Sequence, residues 1–403
     1  MDNLVSRRMF LAAGLGLPAG LSSAPDHPVR FTLDAETLDG GEQVTSLTLG
    51  TARVGRIVPS SLCPGTFTVH AKATSPIPLA PGEQILSEYD LDRQVTAAHL
   101  DRQGNIVLDL GHAEGQVGGG TLGFLPSRGR NVRLDLAYTI TQNAPLAVHG
   151  GGEVTIPCFV QGRVDNPEVD AFSYHVSPSG LKYRLYSPFG RHGRRPLIVW
   201  LHGGGEGASL PDGYYDNETT LRANRGALGF ATPRAQRIFA GAHVVAPQST
   251  SYWIEDGDRF APLLLGVIRD VIRRCPVDID RIHVAGCSNG GYMSLKLTTV
   301  YPSLFATSVP ICGVVQSLIP DEALTRITTP TWLVTSRDDT TVDPQANTVH
   351  AHDLIPRSLL SLYDHVVWNG HQFPGHWSWI YVARNDPGTY GLHLWQWMSR
   401  HHR

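Results

Sequence analysis

The sequence predicts an α/β domain, a parallel sheet covered by helices, over residues 174–403, preceded by a smaller all-β sandwich over 29–165. Three observations carry this. In the second half, strand-length apolar runs such as LIVWL at 197–201 alternate with helical patterns, as buried parallel strands and their covering helices do. The first half holds only short runs, several alternating with period two and broken by Gly, Pro, Asp and Asn. The length, 403 residues, leaves room for two or three domains of roughly 100–200 residues each. At 41% hydrophobic residues the chain can bury a sizeable core, and 17% charged residues, against the usual ~25%, excludes a charge-rich disordered chain or a long coiled coil. Lys and Arg total 33 and Asp and Glu 36, so no basic excess points to nucleic acid or an anionic membrane.

Residues 1–24 read as an export address. Ser6-Arg7-Arg8-Met9-Phe10-Leu11 matches the twin-arginine pattern S-R-R-x-F-L, an apolar run too short to span a bilayer follows, and Ser22-Ser23-Ala24 resembles a cleavage site. Pro25 leaves the cut position open. The expectation is a secreted or periplasmic protein with no membrane span in its mature form.

In the β region, strands are expected at 31–33, 44–49, 66–71, 94–100, 105–110 and 132–140, with turns at 39–41, 81–82 and 102–105. This spacing suits a sandwich of immunoglobulin-like architecture. The Cys…Trp…Cys signature of antibody domains is missing, because no Trp precedes Trp200. Residues 160–175 are expected to hold a linker. Beyond it, strands are expected at 197–201, 242–246, 281–285, 307–311 and 331–335, and helices at 260–274, 292–300, 346–354 and 392–400. Of the five cysteines, Cys63 and Cys158 are candidates to pair within the β region, Cys287 and Cys312 are either a disulfide or two buried thiols, and Cys275 is left over.

Gly286-Cys287-Ser288-Asn289-Gly290 is G-x-S-x-G, placed between a strand and a helix. That context is a nucleophile elbow, in which a strained turn exposes the hydroxyl of Ser288 above the sheet. His202-Gly203-Gly204-Gly205 follows an earlier strand, where bare backbone serves an oxyanion hole: Gly204 or Gly205 gives one N–H and Asn289 the other. In this order of motifs the acid comes next and the base last. Asp339, in D-T-T-V-x-P, is favoured as acid over Asp338 and Asp343. The base belongs on the loop before the last helix, which favours His376 in G-H-W-S-W, with His371 as competitor; His350, His352, His365, His393, His401 and His402 are the remaining histidines. Trp253, Trp377 and Trp379 are either walls of an acyl pocket or core. No E-x-x-H or C-x-x-C spacing suggests zinc, and this chemistry calls for no metal or cofactor.

On the segments LHGGGEG at 201–207, GCSNGGYM at 286–293 and GHWSWIY at 375–381, the chain resembles a group of secreted bacterial α/β-hydrolases described as predicted peptidases or polyhydroxybutyrate-depolymerase-like esterases. Some members carry an immunoglobulin-like domain before the hydrolase domain. The resemblance implies an α/β-hydrolase fold and a serine hydrolase that cleaves a small or polymeric carboxylic ester through Ser288, His376 and Asp339. A serine peptidase, a polyester depolymerase and an inactive hydrolase with a binding β domain are the alternatives. Every proposed catalytic residue lies in 174–403, so that segment is expected to act alone.

Overall fold

The computed structural model describes residues 28–188, 190 and 193–403, so the expected export signal lies outside the described residues. The β region folds as two facing sheets. One has the strand order Phe159–Asp165, Val29–Leu38, Gly41–Leu49, Ile106–Leu110, Val95–Leu100; the other has Tyr89–Arg93, Phe67–Thr74, Asp135–Gln142. Alternation builds the core between them: Val29, Phe31, Leu33 and Ala35 point inward and meet Val69, Ala71 and Tyr138 from the opposite sheet. The run 132–140 is not one strand. Arg130–Arg133 closes a hairpin on Leu122–Leu125, while Asp135–Gln142 joins the smaller sheet.

Residues 160–175 are not a free linker. Phe159–Asp165 pairs in parallel with Val29–Leu38, and Asn166 then caps the short helix Pro167–Asp170 by accepting from the N–H groups of Glu168 and Val169. Neither expected cysteine pair is bonded: all five cysteines are free, Cys63 and Cys158 exposed, Cys287 and Cys312 buried.

The second domain is one eight-stranded sheet: β1 (Ser173–Val176), β2 (Lys182–Tyr186), β3 (Arg195–Leu201), β4 (His243–Pro247), β5 (Val277–Cys287), β6 (Thr307–Ile311), β7 (Trp332–Ser336) and β8 (Leu359–Tyr363). Its order is β1-β2-β4-β3-β5-β6-β7-β8, with β2 antiparallel to its neighbours and β3 to β8 mutually parallel. The unbroken apolar run of β3 follows from burial on both faces: Ile198 and Trp200 enter one core, Leu197, Val199 and Leu201 the other. The edge strands β1 and β8 lack that signature because one flank or face meets water, and the interior strand β2 lacks it because Lys182 and Arg184 interrupt its apolar residues, so sequence reading passes over all three. The expected helix at 260–274 is Gly257–Arg274, and that at 292–300 is Asn289–Val300. The one expected at 346–354 begins with a wider π turn at Gln345–Val349 before His350–Leu354, and the last helix is Leu394–Arg400. Among the described residues no helix is long and apolar enough to cross a membrane.

Candidate active site

The end of β5 runs into Ser288, which sits at φ 54°, ψ −113°, a conformation that a residue with a side chain rarely adopts. The surrounding glycines make the turn possible. A Cβ on Gly286 would lie 2.5 Å from the Gly290 carbonyl oxygen, one on Gly291 2.6 Å from that of Ile311, and one on Gly290 would collide with Leu201 of β3. The motif is thus a packing requirement before it is a chemical one. Ser288 N–H donates to the Ile311 carbonyl at 2.8 Å, tying the elbow to the end of β6.

Asp339 stands on the turn after β7. Its Oδ1 accepts the N–H groups of Thr341 and Val342, both at 2.9 Å, and its Oδ2 meets His376 Nδ1 at 2.8 Å. Two backbone donors orient the carboxylate and satisfy its charge, and the pair is buried. The competing residues are engaged elsewhere. Asp338 accepts from Ser336 and pairs with His365 at 2.9 Å; Asp343 accepts Ala346 N–H at 2.7 Å; His371 lays its ring against Phe373 at 4.5 Å. Cys312, the residue after Ile311, brings its sulfur to the same place: donor atoms of Cys312, Asp339 and His376 all lie within 4.8 Å of one another. Burial opposes a charge on His376, but Cys312 and Asp339 outweigh it and hold the imidazolium above its ordinary value.

The loop after β3 is braced from beneath. Burial keeps His202 neutral, its pKa lowered to about 4. Its Nδ1 donates to the Gly203 carbonyl at 2.6 Å, and its Nε2 accepts Ser249 N–H at 3.0 Å. Trp253 donates from its indole N–H to the His202 carbonyl at 3.2 Å and packs edge-on to Phe260, so the structure places it in the core under the loop. A Cβ on Gly203 would lie 3.5 Å from Cys287 Sγ, one on Gly204 3.0 Å from Asn289 Nδ2, and one on Gly205 2.7 Å from Asn131 Nδ2. Gly204 therefore stands against Asn289, and Gly205 against the β domain. Trp377 and Trp379 flank His376: their rings stack at 5.8 Å, and Trp379 meets the imidazole edge-on at 5.6 Å.

Sequence reasoning missed Glu206, the next residue of this loop. It is buried, Oε1 accepts Asn224 Nδ2 at 3.2 Å, and Oε2 has no hydrogen-bond partner among the described residues. Burial pushes its carboxyl up to about 7. The signal available was a carboxylate inside a run of glycines, where a flexible surface loop would also read the same way.

The β domain helps to build the site. Arg130 donates to the Gly207 carbonyl at 2.8 Å and lies over the Tyr252 ring at 4.5 Å, while Tyr252 Oη donates to the Arg128 carbonyl at 2.6 Å. Behind these contacts runs a buried ionic chain from Glu42 to Arg222, Glu218 and Arg184, with Thr121 and Asn166 each donating to Glu42 at 2.6 Å. Arg384 grips Asp39 with two hydrogen bonds, of 3.0 and 2.8 Å. Parting the domains would strand Glu42 without its cation, a change that costs about 3–5 kcal/mol in buried pairs. These contacts weigh against the expectation that 174–403 acts alone.

The model of the prolyl oligopeptidase family matches residues 264–361, a stretch that holds Ser288 and Asp339 and ends before His376. Among solved structures, a thermostable esterase is 24% identical, with TM-score 0.74 over 93% of this chain and 99% of its own. An acylaminoacyl peptidase from Pyrococcus horikoshii is 16% identical with TM-score 0.38, covering 68% of this chain and 52% of its own, a likeness too partial to bear on the architecture. Among curated proteins no sequence matches. The sheet order, the elbow after β5 and the near full-length likeness to the esterase structure together show that this chain has the α/β-hydrolase fold, preceded by an all-β domain.

Proposed function

We propose that the protein is a secreted serine hydrolase that cleaves carboxylic esters through an acyl-enzyme. Ser288 Oγ attacks the carbonyl carbon and His376 takes the hydroxyl proton. The negative charge on the former carbonyl oxygen is met by backbone N–H groups of Asn289 and Gly204, each worth about 3 kcal/mol in such sites. His376 passes the proton to the leaving alkoxide, and a water molecule then repeats the sequence on the acyl-enzyme. Asp339 stays ionised and fixes the imidazole tautomer throughout.

One observation carries this reading: a carboxylate locked by two backbone amides holds His376 at 2.8 Å, at the edge of the sheet that presents a strained serine. The near full-length structural neighbour is a thermostable esterase, which supports ester over peptide. The match of residues 264–361 to the prolyl oligopeptidase family supports the second reading, a serine peptidase. The test sets p-nitrophenyl esters of graded acyl length against peptidyl p-nitroanilides, with Ser288→Ala as control. Ester turnover that disappears in the variant is expected. Anilide turnover without ester turnover would move the assignment to a peptidase, and turnover surviving in Ser288→Ala would overturn the nucleophile.

The substrate is a small or polymeric ester, and the β domain is immunoglobulin-like in architecture. Export rests on Arg7 and Arg8. Replacing both with Lys should strand the protein in the cytoplasm, and unchanged secretion would refute the twin-arginine reading.

A further inference from the structure

We infer that Cys312, His376 and Asp339 form a chelating site for a borderline-soft divalent cation of the Zn2+ type, and that occupation of this site switches the hydrolase off. The three residues come from the end of β6, the turn after β7 and the loop before Trp379, so no sequence spacing reveals them. Their donor atoms, a sulfur, an imidazole nitrogen and a carboxylate oxygen, all lie within 4.8 Å of one another. Zinc bonds of about 2.0–2.3 Å in a tetrahedron place neighbouring ligand atoms about 3.3–3.8 Å apart, so no pair needs to close by more than about 1.5 Å, and Asp339 Oδ2 and His376 Nδ1, 2.8 Å apart, need to open by about 0.5–1 Å.

The chemistry of the set suits such an ion. Thiolate and imidazole favour zinc-like metals over magnesium or calcium, and two anionic ligands balance the dication. The residues are 0%, 5% and 9% exposed for Cys312, Asp339 and His376, so the charges meet in a dry site that His376 alone opens to solvent. Cys312 is free of any disulfide and has no part in the acyl transfer. On binding, its thiol proton leaves to solvent and a sulfur–metal bond takes its place. Chelation by all three residues uses Nδ1 of His376, the nitrogen that faces Asp339 Oδ2; its proton leaves to solvent, Nε2 keeps the ring's remaining proton and has no lone pair to receive the serine proton, so the relay stops.

The inhibition rests on the serine-hydrolase reading; the binding does not. The test uses the full mature chain, stripped of metal, titrated with ZnCl2 by calorimetry, thermal unfolding and ester turnover in parallel. One site, a raised unfolding midpoint and turnover lost on zinc and restored by EDTA are expected. Cys312→Ser, nearly the same shape, should weaken binding by about tenfold or more, with Cys312→Ala as the second variant. Co2+ in the wild-type protein should show a thiolate-to-metal charge-transfer band that Cys312→Ser lacks. Cys63→Ser, an exposed thiol of the β domain, should change nothing. Equal zinc affinity in wild type and Cys312→Ser, no binding up to millimolar zinc, or no cobalt–thiolate band would each overturn the inference. Cys312-dependent binding in a protein that turns over no ester would uphold the site and overturn the ester reading instead.

Discussion

Glu206→Gln should make this protein more stable in alkali and leave it unchanged in acid. The carboxyl is displaced from 4.5 to about 7 by burial in the loop after β3. A displacement of that size makes the ionised form about 3 kcal/mol less favourable in the fold than in the unfolded chain. The sign follows from proton counts. Below pH 4.5 both states hold the proton and nothing is lost. Between 4.5 and about 7 the unfolded chain gives it up while the fold retains it, so stability falls as pH rises. Above about 7 both are ionised and the full cost is present. Gln keeps the shape and the Asn224 contact, and its amide nitrogen replaces Oε2, which accepts no hydrogen bond among the described residues and stands 3.9 Å from His202 Nδ1. Denaturant midpoints at about pH 3.5 and pH 9 read the effect: the variant should match wild type at the lower pH and exceed it at the higher by up to about 3 kcal/mol. A gain of equal size at both pH values would show that charge is not the cause. A loss in alkali would show that the carboxylate is ionised and satisfied, and would refute the reasoning.

His376→Ala should lose roughly four orders of magnitude in kcat, since Ser288 has no other activator, while His371→Ala retains most of its activity. Asp339→Asn should fall far more than Asp338→Asn or Asp343→Asn; the reverse order in steady-state ester kinetics would put the acid on the wrong residue. Arg222→Ala leaves Glu42 buried without its cation and should destabilise by about 3–5 kcal/mol in denaturant titrations, a loss under about 1 kcal/mol being incompatible with the buried chain. Residues 174–403 expressed alone should be inactive or insoluble, and full turnover of a small ester by that fragment would remove the β domain from the site.

What the sequence discloses here is whatever burial or sterics writes into consecutive residues. The parallel strands β3 to β7 are legible because both their faces are covered, and the elbow because three backbones meet at Gly286, Gly290 and Gly291. Asp339 is legible for a local reason too, since the amides of its own turn hold it. Contacts made across space leave no such mark. Glu42 and Arg222 lie in different domains, Arg130 reaches Gly207 from a hairpin, and Cys312 joins His376 only through the order of strands. Phe159–Asp165 reads as a linker because a strand at a sheet edge, half wet, has no apolar run to announce it.

The parallel pairing of Val29–Leu38 with Phe159–Asp165 also sets an order of assembly. Val29–Leu38 finds its outer partner only when the last strand of the sandwich has been synthesised. Until then one side of Val29–Leu38 presents unpaired N–H and C=O groups, a template for the same strand of another copy. The ribosome therefore holds an aggregation-prone edge for most of the β domain's synthesis, and release before residue 165 should favour association of nascent chains over folding.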